Sequence, residues 1–265
     1  MRTPLTIDDP RDPRLADYVG LTDAALRQRF EGEVGVLIAE GELVIRELIR
    51  SPYPVRSVLV TPARYERLAA DLTTVDAPVY LAGRDVMKAA VGFDIHRGAV
   101  AAADRLPLPD PAAVVAGASR LAVLEGLNDH ENLGALFRNA AALGVDAVLL
   151  SPTCADPLYR RAVRVSLGHV LHIPFARLTP WPAGLASLTA AGFEVLALTP
   201  RPTAEALQTV VPTSTRVAIL LGAEGPGLSG PALEAVRRWV RIPMADGVDS
   251  LNVATAAAIA FHHLG

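Results

Sequence analysis

The chain has 265 residues, 51% of them hydrophobic and 20% charged, which excludes a disordered chain and suits one large domain or two modest ones. Its 25 basic and 28 acidic residues leave a net charge of −3, which excludes coating nucleic acid by bulk charge but not a local basic patch. A single cysteine, Cys154, excludes an intrachain disulfide and a cysteine-based zinc site and suits a reducing compartment.

The N-terminus carries acid and proline where a secretory leader needs an apolar run. No segment approaches the ~20 apolar residues that cross a bilayer. A cytoplasmic protein without a membrane partner is expected. In chain order, residues 42–50 place apolar side chains at helical spacing. Residues 56–61 read as a buried strand stopped at Pro62, followed by a helix over 63–71. Strands are expected at 78–81 and 98–103, with a short helix at 83–91 between them. This alternation describes a small α/β domain over 1–108. Prolines at 107, 109 and 111 mark residues 109–118 as a linker.

Residues 119–265 alternate more strongly. Strands are expected at 121–124, 147–150, 170–174, 194–198, 217–221 and 240–242. Helices are expected at 133–143, 159–167, 185–191, 231–238 and 252–263. Near-continuous apolar strands between helices imply a mostly parallel sheet covered on both faces.

Three stretches carry chemistry. In the first, Asn132 to Gly144, the helical neighbours of Arg138 are small: Gly134, Ala135, Ala141 and Ala142. With no acid at those spacings, a half-buried Arg138 calls for a carboxylate or phosphate from elsewhere. Asn132, taken alone, reads as a helix cap. In the second, strand 217–221 enters Gly222-Ala-Glu224-Gly225-Pro-Gly227, a glycine-rich turn that matches neither common nucleotide cradle. In the third, Ile242-Pro-Met244 leads through a polar loop to Ser250-Leu251-Asn252, with Ser250 as the default cap of an almost wholly apolar helix. Such a helix needs cover from the core or from a second subunit, so a homodimer is expected through the C-terminal domain. Arg160, Arg161 and Arg164 are either a phosphate contact or a solvated face. The histidine pairs supply no third ligand, so no metal is expected.

Together the three stretches resemble the SpoU family of RNA 2′-O-ribose methyltransferases, within the SPOUT superfamily. The first motif corresponds to Asn132, Gly134 and Arg138, and the second to Gly222, Glu224, Gly225 and Gly227. The third corresponds to Ile242, Pro243, Met244, Ser250, Leu251, Asn252 and Val253. The N-terminal part resembles, more loosely, a ribosomal-protein-like substrate-binding domain, through 40–42, 58–60 and His96 to Val100.

The resemblance implies a deep trefoil knot in the C-terminal domain and S-adenosylmethionine as cofactor. It implies that Leu221, Gly222, Gly227, Ile242, Met244 and Leu251 hold that cofactor, through main-chain groups and apolar walls. It makes Asn132, Arg138, Glu224, Ser250 and Asn252 the catalytic shell around a ribose 2′-hydroxyl of rRNA or tRNA. An arginine stays protonated below a pKa of about 12, so Arg138 suits holding a phosphate better than removing a proton. Alternatives are a catalytically silent RNA-binding module, a methyltransferase acting on a base nitrogen, and a nicotinamide-dependent dehydrogenase suggested only by the α/β alternation.

Overall fold

A computed structural model describes residues 3–21, 35–93, 95 and 98–264. The chain forms two compact units, Met1–Pro107 with Leu158–His172, and Leu108–Pro157 with Ile173–Gly265. His96 and Arg97, part of the N-terminal resemblance, lie outside the described residues.

The first unit begins with β1 (Leu5–Ile7) and a 3-10 turn at Pro13–Tyr18. β2 (Val36–Glu40) is buried along its length and turns at Gly41 into α1 (Glu42–Arg50). β3 (Val55–Val60) enters α2 (Pro62–Leu72), with Pro62 in the first turn, where its missing N–H loses no helical bond. β4 (Val79–Ala82) enters α3 (Arg84–Val91), and β5 (Ala99–Asp104) completes the sheet. The strand order is β1-β4-β3-β5-β2, with β3 and β4 parallel and β5 antiparallel to both neighbours.

The second unit opens with α4 (Pro111–Ala116), inside the stretch expected as a linker. Pro111 starts this helix rather than breaking one. Asp110 accepts from the Ala112 amide at 2.7 Å, and Val114 and Val115 are buried. β6 (Arg120–Glu125), α5 (His130–Ala142) and β7 (Ala147–Leu150) follow. α6 (Arg160–Val165) belongs to the first unit and packs on β2. The strand expected at 170–174 is displaced: His169–Leu171 is a 3-10 turn, and β8 is Phe175–Arg177, beyond Pro174. Then come α7 (Leu185–Ala190), β9 (Glu194–Leu198), β10 (Glu205–Ala206) and β11 (Val217–Gly222). α8 (Gly230–Glu234), β12 (Arg238–Arg241) and α9 (Val253–His263) close the unit.

The seven strands lie in the order β10-β12-β9-β11-β6-β7-β8, every neighbouring pair parallel. Alternate residues face opposite sides. Leu121, Val123, Ala218 and Leu220 pack with α4, α7 and α8, while α9 packs on β11 and α5. Phe261 of α9 is fully buried, worth roughly 1.5–3 kcal/mol of apolar transfer. Asn139 donates to the Ala254 carbonyl at 2.8 Å and Arg120 to the Phe261 carbonyl at 2.8 Å, tying α9 down at both ends. From β6 the chain steps one way to β7 and β8, while β11, β9 and β12 lie on the other side. Open parallel sheets bind ligands at the carboxyl ends of strands where the order reverses in this way.

Candidate active site

The carboxyl ends of β11, β12 and β9 feed the loops around one pocket in the second unit. β11 ends in Gly222, where a side chain has no room: a Cβ there would sit 2.2 Å from the Gly227 carbonyl carbon and 2.4 Å from the Leu228 nitrogen. The loop can therefore double back on itself, and the Gly227 amide donates to the Ala223 carbonyl at 3.0 Å. Gly225, at φ 84°, makes the turn that a residue with a side chain resists.

Leu221, Gly222, Gly227, Ile242, Met244 and Leu251 all line this pocket, as do Glu224 and Ser250. The six residues expected to hold the cofactor are thus brought together. Leu198, Thr199 and Pro200 also line it and were not anticipated. Their signal was position, just at and beyond the carboxyl end of a parallel strand.

Beside the pocket, three polar side chains from separate segments meet. The Asn252 amide nitrogen donates to Asn132 Oδ1 and to Glu224 Oε1, each at 2.7 Å. Asn252 Oδ1 accepts from the Ala254 and Thr255 amides, so this residue caps α9 while its amide group binds its neighbours. The Val253 amide also reaches Glu224 Oε1, at 3.4 Å. Two expected caps are corrected here. Asp129, not Asn132, caps α5, accepting from the Asn132 amide at 2.8 Å. Asn252, not Ser250, caps α9, and Ser250 donates instead to Asp249 at 3.0 Å.

Arg138 stands apart from this cluster. It is exposed on α5 rather than half-buried, and makes no hydrogen bond or ion pair with a described residue. Small neighbours leave it uncovered instead of drawing another backbone over it. Arg160, grouped in sequence with Arg161 and Arg164 as a phosphate contact, has an internal partner instead. It donates to Glu40 at 2.7 Å and stacks 4.6 Å over Phe93, within the first unit. Arg161 and Arg164 are exposed on the same short helix.

Glu125, at the end of β6, was missed because a lone acid beyond an apolar strand carries no motif. Its carboxylate accepts from the Ser229 amide at 2.8 Å, the Ser229 hydroxyl at 2.7 Å and the Trp181 indole at 2.7 Å. Ser229 in turn caps α8, so Glu125 fixes the far end of the glycine loop. Among the described residues no three His, Cys, Asp or Glu side chains group to hold a metal ion, and no helix is long and apolar enough to cross a membrane.

Comparison with known proteins bears on this geometry. Residues 119–262 match the SpoU rRNA Methylase family. An uncharacterized tRNA/rRNA methyltransferase of Mycobacterium tuberculosis is 50% identical over 97% of this chain and 92% of its own. The Bacillus subtilis 23S rRNA (guanosine(2553)-2′-O)-methyltransferase RlmP is 29% identical over 97% of this chain and 98% of its own. The AdoMet-bound rRNA methyltransferase from Sinorhizobium meliloti superposes with a TM-score of 0.81 at 25% identity, covering 98% of this chain and 96% of that one.

Proposed function

This chain belongs to the SpoU rRNA methylase family and is an S-adenosylmethionine-dependent RNA methyltransferase, and from that premise we propose that it methylates a ribose 2′-hydroxyl of structured RNA. The observation that carries this reading is the Asn132–Asn252–Glu224 cluster at the rim of a pocket lined by Leu221, Gly222, Gly227, Ile242, Met244 and Leu251. The pocket fits the cofactor's chemistry. Its apolar walls suit an adenine ring, and the glycine loop leaves main-chain groups uncovered for hydrogen bonds.

When bound, S-adenosylmethionine supplies an electrophilic methyl group, which leaves its sulfur for a nucleophilic oxygen. The chain's own residues have to align that oxygen and ease the loss of its proton. Glu224 Oε1 is committed to Asn252 and Val253, while Oε2 makes no hydrogen bond with a described residue and is the acceptor offered to the hydroxyl. Asn252 holds that carboxylate in place and is itself held by Asn132, and Ser250 lines the same wall. Exposed, and without a hydrogen bond or ion pair to a described residue, Arg138 is assigned to the phosphate beside the target ribose, where its charge favours the alkoxide.

Homodimerisation and the trefoil knot belong to the same proposal. The outer face of α9, with Ile259 40% exposed beside Thr255 and Ala258, offers an apolar contact to a second copy. The knot is proposed from the family resemblance, and the three segments it would involve, after β11, after β12 and before α9, line one pocket. A cytoplasmic location belongs to the same proposal and is supported by the bacterial RNA-methyltransferase relatives. The test is to map 2′-O-methyl sites in total RNA from cells with and without this gene. One site vanishing with the gene supports the reading, and an unchanged map overturns it.

A further inference from the structure

A chain of net charge −3 that acts on a polyanion must concentrate cations locally where the polyanion docks. Arg160 does not serve, being bound to Glu40. A separate cavity in the first unit does. It opens where the parallel neighbours β3 and β4 end and α2 and α3 begin, among Thr61, Gly83 and Gly98. Among the described residues, every charged one lining it is an arginine: Arg64, Arg67 and Arg84.

The three differ in how they are held. Arg64 is bonded to Glu42, which fixes its guanidinium. Arg67 lies 3.8 Å from the same carboxylate, too far for a hydrogen bond, and its side chain is 66% exposed. Arg84 is exposed and makes no hydrogen bond or ion pair with a described residue. Glu42 thus engages Arg64 and lies near Arg67, and Arg67 and Arg84 have donors to spare. Gly98, at φ +57°, lies so close to Thr61 that a Cβ would sit 3.1 Å from its Cγ2, which gives the cavity a firm floor. A guanidinium presents parallel N–H groups that match two oxygens of a phosphate.

We propose that this cavity binds a backbone phosphate of the RNA substrate, with Arg67 and Arg84 as the contacting groups and Arg64 as their fixed neighbour. The proposal rests on the RNA methyltransferase reading and adds to it a docking site in the first unit.

The experiment compares the full-length wild type, the Arg67→Ala/Arg84→Ala variant and the Arg84→Ala variant. Each is titrated with a 23S rRNA transcript between 50 and 200 mM KCl. Each lost phosphate contact flattens the log–log salt slope by about 0.7–0.9, so wild-type affinity should fall about tenfold further over that range than the double variant's. Arg84→Ala should show about half the slope change, and it decides the matter if the double variant does not fold. Arg11→Ala, whose side chain is 90% exposed elsewhere on the same unit, should keep the wild-type slope. S-adenosylmethionine binding by calorimetry should be the same in all. Equal slopes in wild type and cavity variants overturn the proposal, as does an Arg11→Ala effect of the same size. Arginine-dependent binding of inorganic phosphate alone, without an effect on RNA, also overturns it. A wild type that binds RNA but transfers no methyl group overturns the function reading and leaves the cavity to be judged on its slope.

Discussion

Asn252 and Asn132 meet at 2.7 Å although 120 residues of chain separate them, and the same amide nitrogen of Asn252 also reaches Glu224 at 2.7 Å. One side chain therefore joins the three motif segments while its oxygen caps α9. These two duties can be separated. Asn252→Asp keeps the capping oxygens but loses both donors and sets a second carboxylate against Glu224. Methyl transfer should fall roughly tenfold to a hundredfold, since a hydrogen bond to a charged group is worth about 1.5–3 kcal/mol. Thermal stability should drop less than in Asn252→Ala, which also forfeits about 1 kcal/mol of cap. Equal activity in Asn252→Asp and wild type would remove the cluster from the chemistry.

Gly222→Ala and Gly225→Ala form a second contrast. At Gly222 the added carbon would collide with the backbone of Gly227, whereas at Gly225 it meets nothing within 4 Å. Gly225→Ala should cost only about 1–2 kcal/mol for its left-handed backbone. Gly222→Ala should displace the loop and weaken S-adenosylmethionine binding more than tenfold. Calorimetric titration of both variants decides it, and matching affinities would contradict the close approach.

How far the sequence carried the reading is clear at these residues. The family resemblance carried by the three motifs implied one pocket for Gly222, Ile242, Met244 and Leu251, and all four line it. It did not reveal Glu125, Trp181 or Thr199, whose contacts arise only when distant segments meet. It misjudged Arg138, because small helical neighbours suit an exposed surface as well as a packed one. It also misread residues 109–118, since proline in the first turn of a helix and proline in a linker look alike. β2 escaped notice although Val36-Leu-Ile-Ala is a continuous apolar run, too short to tell from a buried helix segment.

Glu125→Ala should release Ser229 and Trp181 together. Removing a carboxylate that takes three hydrogen bonds should destabilise the fold by about 1–3 kcal/mol and shift the Trp181 emission to longer wavelength. Trp239, bonded to the Leu233 and Val236 carbonyls, provides the unchanged reference. An unaltered emission spectrum would show that Glu125 does not hold the indole.

Stability should also respond to acid through Glu194. Burial pushes its carboxyl up, but hydrogen bonds from Arg238 and Thr213 outweigh burial and hold it below the ordinary 4.5. A group held low in the fold stabilises it at pH values above the unfolded-state pKa, and that contribution fades as pH falls through the folded one. The melting-temperature gap between wild type and Glu194→Gln should therefore be full at pH 7 and shrink below about pH 4.5. A gap constant down to pH 3 would contradict the pairing.

The central claim is that the methyl group goes to a ribose oxygen, and alkaline digestion tests it most directly. Total RNA from cells lacking the gene, methylated in vitro with methyl-labelled S-adenosylmethionine, is hydrolysed in alkali, which cleaves only beside a free 2′-hydroxyl. Label in an alkali-resistant dinucleotide is the expected result, cut roughly tenfold to a hundredfold with Asn252→Asp and lost with Arg138→Ala, although both still bind the cofactor. Label in an ordinary mononucleotide, methylated on its base, would contradict the account.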